Sequence, residues 1–184
     1  MVHCYHRKRL HFVMKTSVKI KAEKTMEKIR ALTRHIRNVE DNCLILGERL
    51  ILSEEIELGR HLIANGFIHD VSKFFGIEWD QLIIGPPIKE DETKLKLKMA
   101  IYQHRKTNFH HIEYWSNIEN MPDVYLAELI CDLKSRSEEF GTSLIDYINE
   151  CVDKKWKITK DSRTYKRILE FVNLLCNPVF QEIK

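Results

Sequence analysis

From Thr25 to Leu52 the apolar residues Ile29, Leu32, Ile36, Val39, Cys43, Leu46 and Leu50 recur three or four positions apart. That is the period of one face of an α-helix and not the strict alternation of a half-buried strand. Nothing elsewhere in the chain reads as a strand. Only six glycines and four prolines punctuate it, and they fall between helical patterns, where they serve as stops. Ser53 reads as an N-cap, with Glu54 and Glu55 in a first turn where the helix dipole favours anions. The helix it opens runs toward Ile68 and delivers His69 near its end. "GIEWDQLII" is a short helix stopped by Gly85-Pro86-Pro87. Asp91 or Thr93 starts another, carrying Leu97, Ile101 and His104 and breaking near Asn108. Pro122 sits at a first helical position and Gly141 just past the matching end. Thr142 caps a helix through Trp156. Asp161 or Ser162 opens the last, with Tyr165, Ile168, Leu169, Val172 and Leu175 on one face. The expected fold is all-α, a single-domain bundle of six or seven helices.

A chain of 184 residues suits one domain that buries roughly two thirds of its unfolded surface. No apolar run approaches the ~18 residues of a membrane span, so no membrane is expected as a partner. The first 30 residues hold nine Lys or Arg against Glu23 and Glu27, and the apolar stretch "LHFVM" is too short for a secretory signal. Residues 1–24 therefore read as a basic, solvated extension that need not be ordered, and residues 25–184 as the helical domain. Met14 and Met26 are alternative starts. A net charge of +3 is too small to argue for nucleic acid by itself, which leaves nucleic acid a weakly supported partner. Cys4, Cys43, Cys131, Cys151 and Cys176 are scattered, odd in number and free of C-x-x-C, which fits reduced thiols in an intracellular compartment, the cytoplasm.

Nine histidines carry the chemical signal. His3, His6 and His11 belong to the basic tail and read as surface decoration, whereas His35, His61, His69, His104, His110 and His111 lie in or beside helical patterns among apolar neighbours. One such histidine is ordinarily a hydrogen-bonded core residue. Six of them, with Asp70 beside His69 and Asp132 inside the apolar "LAELICDLK", point to a metal. An ionised carboxylate facing a core is costly unless paired or metal-bound. His35, His69, Asp70 and Asp132 would supply two nitrogens and two oxygens from separate helices, and His104 with His110 or His111 would add imidazoles. Asp70 has two oxygens and could bridge two ions about 3.5–4 Å apart. Glu128, one helical turn before Asp132, is a candidate to orient a ligating imidazole, with a plain exposed glutamate as the alternative. His61 competes with His35 for the first position, but it lies eight residues before His69 on the same helix and would point along that helix.

The order His35, His69-Asp70, Asp132 resembles the H…HD…D series of the HD-domain superfamily of metal-dependent phosphohydrolases, whose fold is a helical bundle. With His104 and His110-His111 it is similar to the binuclear subset. "HDVSK" parallels an HD-x-x-K form, which implies that Lys73 reaches a substrate phosphate. The strings "HIRNV", "HDVSKF", "NFHHIEYW" and "MP…AELICDL" resemble more closely a poorly characterised HD-like family of phages, bacteria and large DNA viruses, over roughly residues 33–147. For a viral chain the compartment would be the host cytoplasm. The resemblance implies His35, His69, Asp70, His104, His110 and Asp132 as ligands, and Asp70 and Lys73 as the catalytic pair. It sets His111 closer to substrate than His110.

The expected function is that of a metal-dependent phosphomonoesterase or phosphodiesterase. It would act on a nucleotide or other small phosphoester through a metal-activated water, with one or two ions of Mn, Fe, Ni, Co or Mg. Tyr114 and Trp115 could stack on a base, or fill the core. Two other classes stand beside this one. A binuclear-iron HD-type oxygenase would use the same ligands, and a non-catalytic nucleotide-binding domain would keep the fold without turnover. Neither the substrate nor the oligomeric state follows from the sequence.

Overall fold

The computed structural model describes residues 2–85 and 91–177, with side chains from Ile20 onward and Asp153 excepted. Among these residues there is no strand. The α-helices are α1 (Val2–Leu52), α2 (Ile56–Ile68), α3 (Gly76–Glu78), α4 (Asp91–Thr107), α5 (Ile112–Trp115), α6 (Asp123–Phe140), α7 (Leu144–Cys151) and α8 (Arg163–Cys176). Six of the eight span eight residues or more, as the periodicity predicts. Single turns of 3₁₀ helix (71–74, 118–120) and π helix (79–83, 152–156) join them. The all-α bundle is the fold.

The buried face of α1 is the stripe read from the sequence: Leu32, Val39, Cys43, Leu46 and Leu50 are buried. Against it pack Leu62 of α2, Leu126, Ile130 and Cys131 of α6, and Ile168, Phe171 and Leu175 of α8, in one core. Caps differ from expectation in detail. Ser53 does not open α2; its N–H still belongs to the last turn of α1, donating to Arg49 O at 3.0 Å, and Glu54 makes the reversal in the left-handed region (φ 69°). Ser143, not Thr142, caps α7 by accepting from Asp146 N, whereas Ser162 caps α8 by accepting from Tyr165 N. Gly141 ends α6 at φ 64°. The expected stop at Pro86-Pro87 falls outside the described residues.

Three glycines depart from the expectation that glycine marks breaks. Gly47 lies inside α1, and Gly59 and Gly66 inside α2. The two helices run antiparallel through a three-residue turn, and a Cβ on Gly59 would lie 2.4 Å from Gly47 O, while one on Gly66 would lie 2.5 Å from Cys43 Cβ. Bare backbones let α1 and α2 approach closely enough for His35 and His69 to share one space. Gly59→Ala is expected to cost about 2 kcal/mol or more, because a backbone oxygen has to move. An unchanged urea midpoint in that variant would contradict this packing.

Candidate metal centre

Four segments meet at the centre. His35 comes from α1. His69 caps the C-terminus of α2 and is followed by Asp70 in the left-handed region (φ 56°). Successive residues of a helix point about 100° apart. The abrupt left-handed step lets His69 and Asp70 face the same volume, and aspartate is among the few side chains that tolerate it. His104 comes from the last turn of α4, and His110 and His111 from the loop that leads into α5. α6 presents Glu128, Asp132, Ser135 and Glu139 at spacings of four, three and four, one continuous polar stripe on a helix whose middle, residues 126–131, is buried.

His35, His69, Asp70, His104 and His110 are all buried. Asp70 stands between two sets of imidazoles. Its Oδ1 faces His104 Nε2 at 3.2 Å and His110 Nε2 at 3.5 Å. Its Oδ2 faces His35 Nε2 at 3.8 Å and His69 Nε2 at 3.7 Å, and accepts from Lys73 Nζ. His35 Nε2 also lies 3.1 Å from Asp132 Oδ1.

The outward nitrogens are held by glutamates. His35 Nδ1 meets Glu139 Oε1 at 2.9 Å. Glu128 Oε1 takes both His69 Nδ1 (2.9 Å) and His110 Nδ1 (3.2 Å), while its other oxygen accepts from Asn65 Nδ2 at 3.1 Å. His104 Nδ1 meets Glu78 Oε2 at 2.8 Å, and Ser72 Oγ donates to the same oxygen at 2.9 Å. A carboxylate only accepts, so each Nδ1 carries the proton and each Nε2 lone pair is turned inward. His111 Nε2 lies 2.9 Å from His104 Nε2.

Burial opposes ionisation of Asp70, but the close approach of His104 and the charges of His69, Lys73 and His110 outweigh it and hold the carboxyl well below its usual range. Asp132 is likewise depressed, with burial overcome by the His35 contact and the His69 charge. Glu128 falls to about 2 against burial, through its hydrogen bonds with His110 and His69. These carboxylates are ionised. Yet the Nε2 atoms of His35, His69 and His110 and the Oδ1 atoms of Asp70 and Asp132 have no hydrogen-bond partner although buried. Lone pairs facing lone pairs in a dry interior hold together only around positive charge, from further imidazole protons or from a metal ion that displaces them.

The donor set fits a metal. Asp70, His104, His110 and His111 offer atoms within 4.8 Å of one another, and so do His35, His69 and Asp132. Each group can hold an ion, and the carboxylate–histidine pairs behind them are the usual means of fixing imidazole orientation. Burial, followed by the charges of His110 and His104, pushes the His111 imidazole down to about 3, so it is neutral near pH 7.

Both His111 and Glu128 have folded-state values below their ordinary 6.5 and 4.5. The unfolded chain therefore binds more protons between about pH 6.5 and 2, and folding stability is complete above this window and lost as pH falls through it. In chelator, denaturation midpoints are expected to decline from pH 7 to pH 4 by the equivalent of about 4 kcal/mol. A flat profile would contradict the depressed values.

The residues singled out from the sequence meet here with few exceptions. His61 is exposed on α2 and takes no part. Tyr114 and Trp115 lie in a separate aromatic cluster: Tyr114 packs edge-on against Phe109 (centroids 4.6 Å), and Trp115 Nε1 donates to Phe109 O at 2.8 Å while the ring tilts over Tyr125. Glu78 and Glu139 were missed. The α6 stripe is a signal that could have exposed Glu139, whereas nothing local marks Glu78. A cleft of about 610 Å³ opens beside the centre, where Lys73 and His35 share its lining with Arg34, Ile83, Arg136 and Phe140.

A family model described as a family of unknown function (DUF5662) matches residues 24–177. None of the curated proteins and none of the solved structures compared with the chain matches it.

Proposed function

The chain belongs to that family of unknown function, DUF5662, and from the geometry of its centre we propose that it is a metal-dependent phosphohydrolase of the HD type, with a binuclear site. One observation carries this reading: Asp70 turns one carboxylate oxygen to each of two imidazole groups whose remaining nitrogens are pinned by glutamates. The motif order H…HD…H…HH…D, similar to that of binuclear HD proteins, supports it. His35, His69 and Asp132 would hold one ion, His104 and His110 the other, with Asp70 between them and His111 at the edge of the second group. Mn, Fe, Ni, Co and Mg are all compatible with nitrogen and carboxylate donors. A bound divalent metal supplies Lewis acidity, lowering the pKa of a water toward neutrality and offsetting charge that gathers on phosphoryl oxygens.

The chain's own groups do the rest. Glu139, Glu128 and Glu78 keep the Nδ1 protons and so hold every inward nitrogen as an acceptor. Lys73 lines the cleft with its ammonium on Asp70 Oδ2, one side-chain rotation from a phosphoryl oxygen in that cleft. Burial of the imidazoles keeps bulk water from competing for the same lone pairs.

The test is a metal assay joined to a turnover assay. The purified chain, loaded in turn with Mn, Mg, Ni and Fe, would be given nucleotides and bis(4-nitrophenyl) phosphate. Release of phosphate or nitrophenol that requires the metal supports the hydrolase. The same four imidazoles also suit a di-iron oxygenase, and two irons per chain with oxygen uptake and no phosphoester cleavage would overturn the hydrolase in its favour.

A further inference from the structure

The cleft beside His35 does not end at the metal centre. Its α1 wall is formed by Ala31, Leu32 and His35, and the same face of α1 continues outward as Lys28, Lys24 and Lys21. At 3.6 residues per turn these three lysines fall within about 60° of one another around the helix axis, with Glu27 about 60° from Lys24 at the edge of the row and Glu23 about 100° or more from all three. All three lysines are exposed. Lys28 also marks the junction with the cleft, since its Nζ donates to the backbone oxygen of the cleft residue Ile83 at 3.1 Å. Arg34, Arg136 and Lys73 line the cleft inside, Arg136 paired with Glu139 at 2.9 Å and Lys73 with Asp70, so a strand phosphate there would compete with a carboxylate for each of the last two. From Lys21 to His35 this face spans about 21 Å of helix. A single small phosphoester covers only its inner end.

We propose that the substrate is a single-stranded nucleic acid, whose backbone phosphates run from the cleft at His35 and Lys73 along the Lys28–Lys24–Lys21 face of α1. This deepens the phosphohydrolase reading and rests on it for the fate of the strand at the centre, but the strand-binding face stands on its own observations. A row of cations one turn apart tracks a phosphodiester backbone, and the bases need no specific readout for such binding. The row's continuity with a cleft at the candidate centre favours a strand that threads inward over a flat anionic membrane surface.

The experiment uses the full chain in EDTA and a fluorescein-labelled oligothymidylate of about 15 nucleotides, within the range that such grooves cover. Fluorescence anisotropy would be followed across a salt series. The parent chain is expected to bind with a steep inverse dependence on salt. Lys21→Ala/Lys24→Ala/Lys28→Ala should weaken binding at least tenfold and flatten the log–log salt slope by about 2. In the presence of Mn²⁺, cleavage of the oligonucleotide should fall at least tenfold more in the triple variant than cleavage of bis(4-nitrophenyl) phosphate. Absent oligonucleotide binding, an unchanged affinity in the triple variant, or equal losses on both substrates would overturn the proposal. So would capture by phosphatidylserine vesicles without oligonucleotide binding. The hydrolase reading fails separately: oligonucleotide binding with the predicted salt response, but no metal-dependent cleavage of any phosphoester, keeps the strand face and removes the hydrolase. Small-ester turnover with no strand binding does the reverse.

Discussion

Asp70→Asn is expected to lower phosphoester turnover by roughly 10³-fold or more and to reduce the metal retained per chain, with the helical content unchanged. Asparagine has nearly the same shape and, like aspartate, tolerates the left-handed backbone at φ 56°, so the turn after α2 survives. What it lacks is the second anionic oxygen. Asp70 faces two imidazole groups with two different oxygens, and an amide can offer only its carbonyl to one of them. Its NH₂ group would either donate to an inward imidazole lone pair, taking that lone pair from a metal ion, or oppose the Lys73 ammonium. Metal analysis after dialysis, circular dichroism and a phosphodiesterase assay together check the result. Full turnover with parental metal content in this variant would remove the centre from the mechanism.

Glu128→Gln should weaken metal binding by about 100-fold, more than either Glu78→Gln or Glu139→Gln. Glu128 is the only one of the three glutamates that holds two imidazoles, His69 and His110, on a single oxygen. Glu78 and Glu139 hold one each. A glutamine oxygen at the Oε1 position could still accept from both Nδ1–H groups, but without charge, and its nitrogen would then oppose Asn65 Nδ2, which donates to the other oxygen; turning the amide to relieve that clash frees the imidazoles to turn or change tautomer. Loss of a single orienting partner typically costs 10- to 100-fold in metal affinity. Competition of the chain with a Mn²⁺-binding dye would give the three affinities. Glu138→Gln, at an exposed carboxylate paired with Lys134, is the control and should leave them unchanged. Equal losses for Glu78, Glu128 and Glu139 would mean that sharing one oxygen has no consequence.

The bundle was legible because its signals are local. Leu32, Val39, Cys43, Leu46 and Leu50 announce the face of α1 by spacing alone, and Gly141 and Ser162 mark ends that the structure keeps. The helical glycines were misread because their reason is not local: Gly59 is short of a side chain on account of Gly47 O on another helix. A similar divide runs through the centre. Histidine and aspartate beside apolar residues are conspicuous in a sequence, since burying them needs compensation. Their partners are ordinary glutamates whose role depends on contacts 104 residues away for Glu139 and 26 for Glu78. Glu139 could have been recovered from its register with Glu128, Asp132 and Ser135. Glu78 occupies a three-residue helix with no periodicity to read. The aromatic pair Tyr114–Trp115 follows the more ordinary course for such residues, clustering with Phe109 and Tyr125.

α1 contains neither glycine nor proline before Gly47, and from Ile20 onward its first buried position is Leu32. Between Ile20 and Leu46 it is thus a rod of roughly 40 Å without a joint, its exposed outer turns touching the body at Lys28 and its inner turns clamped within it. His35 sits three residues inside the clamp. Leverage follows: a sideways load on the outer turns is carried stiffly to the fulcrum, where one imidazole is the first donor to feel the bend.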